Sequence, residues 1–186
     1  MTAPLVVLIG PPGAGKSRIG KSVARELGVR FVDTDRVIVN EHGAISAIFA
    51  QHGEPHFRAI ERDVVARALR GDASVAPREP DESLTAVVAL GGGAILDTET
   101  RADLAEHRVA LITVTADAVR DRLNTSKRPL LAGGMESWER IATERRALYE
   151  SLADSVWDTS HRPVSLIAHE LAEWVRDAAE LSKKDE

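Results

Sequence analysis

The chain has 186 residues, 44% of them hydrophobic and 28% charged, with a formal net charge of -5, a balance that excludes the disordered and membrane-spanning classes. It contains no cysteine, which removes disulfides, thiolate catalysis and zinc–thiolate sites and agrees with a reducing compartment. The acidic balance argues against nucleic-acid binding, which needs a concentrated basic face, so an anionic substrate must be held by local arginines.

The length suits one domain over residues 1–186, with a core over about 4–181. Leu5 to Ile9 is apolar and partly β-branched, too short to span a bilayer and without the basic flank of a signal peptide. It reads as a strand buried on both faces, in a protein of the cytoplasm with no membrane partner. Ile19, Val23, Ala24 and Leu27 then recur at helical spacing between Lys16 and Gly28, where glycine stops the helix. Val29–Val32 is a second strand, followed by helical stretches at Val37–Asn40, Ile45–Gln51 and Pro55–Leu69. Residues 71–83 carry Pro77, Pro80 and four acids, the composition of an exposed surface insertion. Leu84–Leu90 and Val109–Val114 are further strands, Ser155–Trp157 a weak fifth, and an amphipathic helix runs from Pro163 to about Leu181. Strands alternating with helices predict an α/β fold with a doubly wound parallel sheet.

Gly10-Pro11-Pro12-Gly13-Ala14-Gly15-Lys16-Ser17 fits G-x-x-x-x-G-K-[ST] and stands between the first strand and the first helix. Such a loop converges backbone N–H groups on one anion and adds the dipole of the following helix. Lys16 is placed to neutralise the β- and γ-phosphates of ATP, and the Ser17 hydroxyl to coordinate magnesium. A phosphate loop alone does not separate a kinase from a switch or motor.

The acceptor side rests on elements that are each weak alone. Asp33 and Asp35 end the second strand, at the edge where open α/β sheets bind ligands, although an N-cap with a solvated neighbour reads equally well. Phe57-Arg58 and Glu61 follow, then Gly91-Gly92-Gly93, then Arg128-Pro129-Leu130-Leu131 in a long connection over about 124–135, then Arg145 and Tyr149. Connections of that length in compact domains are functional or disordered.

In this order, with Ile48-Phe49-Ala50 and Gly53-Glu54, the motifs resemble the shikimate kinase family from about Pro4 to Pro163. The resemblance implies a three-layer nucleoside monophosphate kinase-like fold with a five-stranded parallel sheet in the order 2-3-1-4-5. It also implies a substrate-binding helical region over about 34–70 and a lid over about 124–135. The implied activity is transfer of the ATP γ-phosphate to the 3-hydroxyl of shikimate, with magnesium as cofactor, ATP and shikimate as partners, and a monomer as the working unit.

By the same resemblance Lys16, Asp35 and Arg128 are the catalytic residues, with Asp35 binding ring hydroxyls and accepting the proton of the attacking one. Ser17 and Asp33 hold the metal. Gly13, Ala14, Gly15, Lys16, Ser17, Arg18 and Arg128 contact ATP, either Arg120 or Arg122 stacks on adenine, and Arg162 lies on the far side of the base. Arg58 and Arg145 grip the substrate carboxylate beside Gly91, Gly92 and Gly93, Glu61 orients Arg58, and Phe49 and Phe57 wall the ring. A planar guanidinium suits a carboxylate through two parallel bonds.

One departure is Arg18, which stands where the family often has threonine. A metal reading of His52 and His56 fails on Gly53 and Pro55, which interrupt the helix between them, and Trp138, Trp157 and Trp174 read as packing residues. The rival readings are a kinase of the same fold for another small acid, such as gluconate, and a catalytically silent nucleotide-binding regulator.

Overall fold

A computed structural model describes residues 6–75, 86–123 and 134–182. Part of the surface insertion (76–83), most of the lid segment (124–133), Arg128 and the side chain of Arg122 lie outside the described residues.

Strands β1 (Val6–Ile9), β2 (Arg30–Asp33), β3 (Ala86–Ala89), β4 (Val109–Thr113) and β5 (Ser155–Asp158) pair in parallel throughout, in the order β2-β3-β1-β4-β5. The expected sheet order therefore holds. Period-two side-chain alternation explains why its middle strands are apolar at every position but Thr113, the last residue of β4. Val7 and Ile9 of β1, Val88 of β3 and Val109 and Leu111 of β4 enter one core cluster. Val6 and Leu8, Val87 and Ala89, and Ala110 and Ile112 enter the other.

The second cluster is covered by α1 (Lys16–Leu27) and α7 (Val164–Ser182), which supply Ile19, Val23, Ile167 and Leu171. The first is covered by α2 (Thr34–His42), α3 (Ile45–Leu69), α4 (Thr98–Leu104) and α6 (Gly134–Leu152), which supply Ile38, Val64, Leu104 and Tyr149. Helix α5 (Ala116–Leu123) follows β4. Among the described residues no helix is long and apolar enough to cross a membrane.

Two local features bear on the site. Helix α2 starts at Thr34 rather than near Val37, because the Asp33 carboxylate caps it by accepting from the Arg36 amide at 3.3 Å. The two stretches expected on either side of Gly53 are the two helical arms of α3, which meet at a kink where Gly53 leaves helical geometry at φ 79° and ψ 174°, with Pro55 just beyond it. The kink does not hold the flanking histidines apart: the His52 and His56 rings lie 4.7 Å centre to centre. No group of three or more metal-ligating residues accompanies them among the described residues.

Candidate active site

The loops leaving β1, β2 and β3 emerge at the same carboxyl edge of a parallel sheet, the edge where such folds bind ligands. The first turns left-handed at Gly15, φ 93°, which is also the N-cap of α1 and brings no side-chain cap. Glycine alone takes that conformation cheaply. The N-terminal end of the helix dipole then points out of the loop, which makes this helix end an anion receptor. Lys16, 8% exposed, folds back so that its Nζ donates to the carbonyls of Gly10 at 2.7 Å and Pro11 at 3.1 Å. Its ammonium is thereby held over the loop. Ser17 is half-buried and Arg18 exposed at the start of the same helix.

Thr34, buried between the two aspartates, uses one hydroxyl to join the second and third loops. It donates to the Ala89 carbonyl at 3.3 Å and accepts from the Gly91 amide at 3.1 Å. That clamp sets α2, and with it Asp35, against the triple glycine. A Cβ built on Gly91 would stand 2.6 Å from Asp35 Oδ1 and 2.8 Å from Glu61 Oε1, and one on Gly93 would run into the Arg58 guanidinium. A side chain at either position would push these charged ends away from where they stand.

Arg58 is fixed from both sides on α3. It donates to Glu61 Oε2 at 2.5 Å, and through Nε and Nη2 to Glu54 Oε1 at 3.2 and 2.8 Å. It also lies 5.3 Å from the ring centre of the buried Phe57, whose other neighbour Phe49 is 4.7 Å away. Burial works against the Arg58 charge, but Glu61 and Glu54 outweigh it and hold its pKa above the usual guanidinium value. Burial likewise pushes the Glu61 carboxyl up, against the pull of Arg58, and the nearby Asp35 carboxylate adds to the rise. Glu61 is 4% exposed, so removing its partner would cost about 3–5 kcal/mol, the penalty for an uncompensated buried charge.

Helix α6 closes the site. Arg145 Nη1 donates to the Gly92 carbonyl at 3.0 Å and Tyr149 Oη to the same oxygen at 2.5 Å. Burial lifts the Tyr149 hydroxyl to about 12 despite the Arg145 charge, so it stays protonated and donates. The acceptor loop also touches the phosphate loop, since a Cβ on Gly92 would lie 3.1 Å from Pro12 Cδ. Arg58, Arg145, Glu61, Asp35 and the triple glycine therefore converge within reach of the anion receptor. Asp33 stands at the end of β2 beside them.

Of the arginines considered for adenine, either Arg120 or Arg122 with Arg162 opposite, two have described side chains. Arg120 is exposed and paired with Asp117 at 3.3 Å, Arg162 grips both carboxylate oxygens of Glu170 at 2.6 Å, and the Arg122 side chain lies outside the described residues. A cavity of about 700 Å³ opens at the β2 edge beside Lys21, Arg30 and Arg36, but holds none of Lys16, Asp35, Arg58 or Arg145.

The profile of the shikimate kinase family matches residues 12–176. The chain belongs to the shikimate kinase family. It is 46% identical over 175 residues to the shikimate kinase of Thermobifida fusca (strain YX), covering 90% of this chain and 95% of that one. It is 44% identical to that of Streptomyces avermitilis, covering 98% and 99%. In structure it superposes on a shikimate kinase from Acinetobacter baumannii in complex with shikimate with a TM-score of 0.82 at 27% identity, covering 95% of each chain. A gluconokinase from Sinorhizobium meliloti shares the fold with a TM-score of 0.61 at 17% identity.

Three residues of this shikimate kinase fold carry site geometry that sequence reasoning passed over. Thr34 has no role in the sequence reading, where only the acids on either side of it are assigned. Thr159, 3% exposed, donates its amide to the Thr113 carbonyl at 3.0 Å and sets its single hydroxyl 2.9 Å from the Ala14 carbonyl and 3.0 Å from that of Thr113, with one proton to share, tying the phosphate loop to the end of β4. Trp138, read as packing, is buried and its Nε1 donates to the Pro12 carbonyl at 2.8 Å. A single polar residue at a strand end carries no periodic signal, but a lone threonine between two aspartates is the kind of short hydroxyl that bonds local backbone.

Proposed function

We propose that this chain is a shikimate kinase, transferring the γ-phosphoryl group of ATP to the 3-hydroxyl of shikimate in the cytoplasm, with shikimate 3-phosphate and ADP as products. The observation that carries the reading is the meeting of Arg58 and Arg145 on the triple glycine, beside Asp35 and against Pro12 of the phosphate loop. Two guanidinium groups there provide, within an acidic protein, the planar forked donors that suit a ring carboxylate. Glu61 and Glu54 hold one fork in place before the substrate arrives, which lowers the entropy lost on binding.

In the transfer, the 3-hydroxyl oxygen attacks the γ-phosphorus, the bond to the β–γ bridging oxygen breaks, ADP leaves, and Asp35 takes the hydroxyl proton. Phosphoryl transfer passes through a loose transition state, so positioning and charge neutralisation by Lys16 and Arg128 outweigh the help from Asp35 as a base. Ser17 and Asp33 offer a hydroxyl and a carboxylate, hard oxygen donors of the kind that magnesium takes alongside phosphates and water. Among the described residues no cluster could cage a metal without the nucleotide. Magnesium held there would neutralise phosphate charge.

The test is a coupled assay of ADP release with magnesium-ATP against shikimate, gluconate and quinate. Shikimate alone is expected to drive turnover. Turnover with gluconate and not shikimate overturns the substrate, and nucleotide binding without acceptor-dependent turnover favours a silent regulator. An Arg128→Ala variant is expected to lose more in kcat than in substrate binding, and a kcat equal to wild type would remove Arg128 from the catalytic set.

A further inference from the structure

Pro12 of the phosphate loop and Gly92 of the acceptor loop come from different strands and touch each other, and both carbonyls are held by the same helix. Trp138 Nε1 reaches the Pro12 carbonyl at 2.8 Å, while Arg145 and Tyr149 reach the Gly92 carbonyl at 3.0 and 2.5 Å. Arg145 and Tyr149 follow Trp138 by seven and eleven residues, a spacing that puts all three on one face of α6. Trp138 is 3% exposed and Tyr149 likewise, so neither bond competes with bulk water. The indole N–H is a donor only, and packing alone does not require it to end on a loop carbonyl.

Resting on the functional reading above, we infer that Trp138 is a positioning residue for phosphoryl transfer: its bond to Pro12 keeps the phosphate loop in register with the acceptor loop that Arg145 and Tyr149 hold. The γ-phosphate rides on one loop, and the other anchors the acceptor by its carboxylate and so sets where its hydroxyl stands. A slip between them lengthens the reaction distance without removing a contact to either substrate. Reaction rates are steeply sensitive to such misplacement, and binding is not. Tyr149 acts on the other side of the same junction, so its hydroxyl shares the task.

The experiment compares wild type with Trp138→Phe, which keeps an aromatic ring and deletes the donor, with Tyr149→Phe, and with both together. For Trp138→Phe, kcat is expected to fall about tenfold while KM for ATP and for shikimate each move less than about threefold. Circular dichroism should show the native spectrum and a melting curve close to wild type. The double variant should lose less than the product of the single losses, because both bonds hold one junction. A folded Trp138→Phe enzyme that keeps more than half of the wild-type kcat, or whose loss appears in KM alone, overturns the inference.

If wild type fails to turn over shikimate, the functional reading falls and the junction is read by hydrogen exchange instead. Amides of Gly13 to Gly15 and of Gly91 to Gly93 should then both exchange faster in Trp138→Phe. Unchanged exchange at Gly91 to Gly93 would show that Trp138 holds only its own loop, and would end the proposal.

Discussion

Glu61 shows how one buried carboxyl serves the acceptor site. It sits one helical turn from Arg58 on α3, facing the same glycine as Asp35. Its pKa is raised by burial, with Arg58 pulling the other way, so it takes a proton at a pH above the ordinary carboxylate range. As pH falls toward that value Arg58 loses its charged partner, and kcat/KM for shikimate is expected to fall with it. Glu61→Gln should lower kcat/KM at neutral pH on the order of tenfold, the contribution of one charge-assisted hydrogen bond, and move the acid inflection downward. An unchanged pH profile in Glu61→Gln would show that Glu61 does not orient Arg58. At this scale the sequence disclosed the charged half of the site, because Arg58, Glu61, Asp35 and Arg145 stand in recognisable motifs. It did not disclose Thr34, Thr159 or Trp138, whose partners are main-chain carbonyls and amides far away in the chain. Backbone acceptors are the same at every residue, so no sequence pattern marks them.

The elements divide in the same way. Strands β1, β3 and β4 were legible because both their faces are buried, and α1 because its apolar stripe ends at a glycine. The start of α2 was not, since its first turn is decided by the Asp33 cap and not by apolar spacing. Helix α7 matters to the site through α1, which it covers: His169 Nδ1 pairs with Glu26 at 2.7 Å, and Arg176 donates to the Glu26 carbonyl at 3.0 Å. The bond to Glu26, then the charges of Glu173 and Glu26, raise the His169 pKa. A histidine that holds its proton more tightly when folded adds stability below the unfolded value of about 6.5, and that stability is lost as pH rises through the folded value. The melting temperature of wild type should therefore fall more between pH 6 and pH 9 than that of His169→Gln. The difference should be small, because the imidazole is open to solvent. His107 is shifted downward by burial and titrates in the opposite sense, so the comparison must be between the two proteins. Parallel curves would remove the α1–α7 clasp from the account.

On the scale of the whole molecule, the net charge of -5 and an anionic acceptor are reconciled by position. In the acceptor site Glu54 and Glu61 fix Arg58, and the Gly92 carbonyl holds Arg145, while acids such as Glu41, Asp63, Asp97 and Asp103 are drawn into pairs with Arg62 and Arg67 on the outer part of α3. Selectivity should therefore come from the local site and not from the overall field. Ligand that binds only the folded chain stabilises it by mass action, by about 2.7 kcal/mol at a hundred times Kd. For a chain of this length that raises the melting temperature by about 5–11 °C. Shikimate at saturating concentration should produce such a rise, and gluconate at the same concentration should not, because it brings a flexible polyol to a site whose two arginines and triple glycine are already fixed. The rise should shrink in Arg58→Lys, which keeps the charge and loses the planar fork. If gluconate stabilised the protein as strongly as shikimate, or if Arg58→Lys left the shikimate shift intact, charge alone would explain recognition and the geometry of the paired arginines would not.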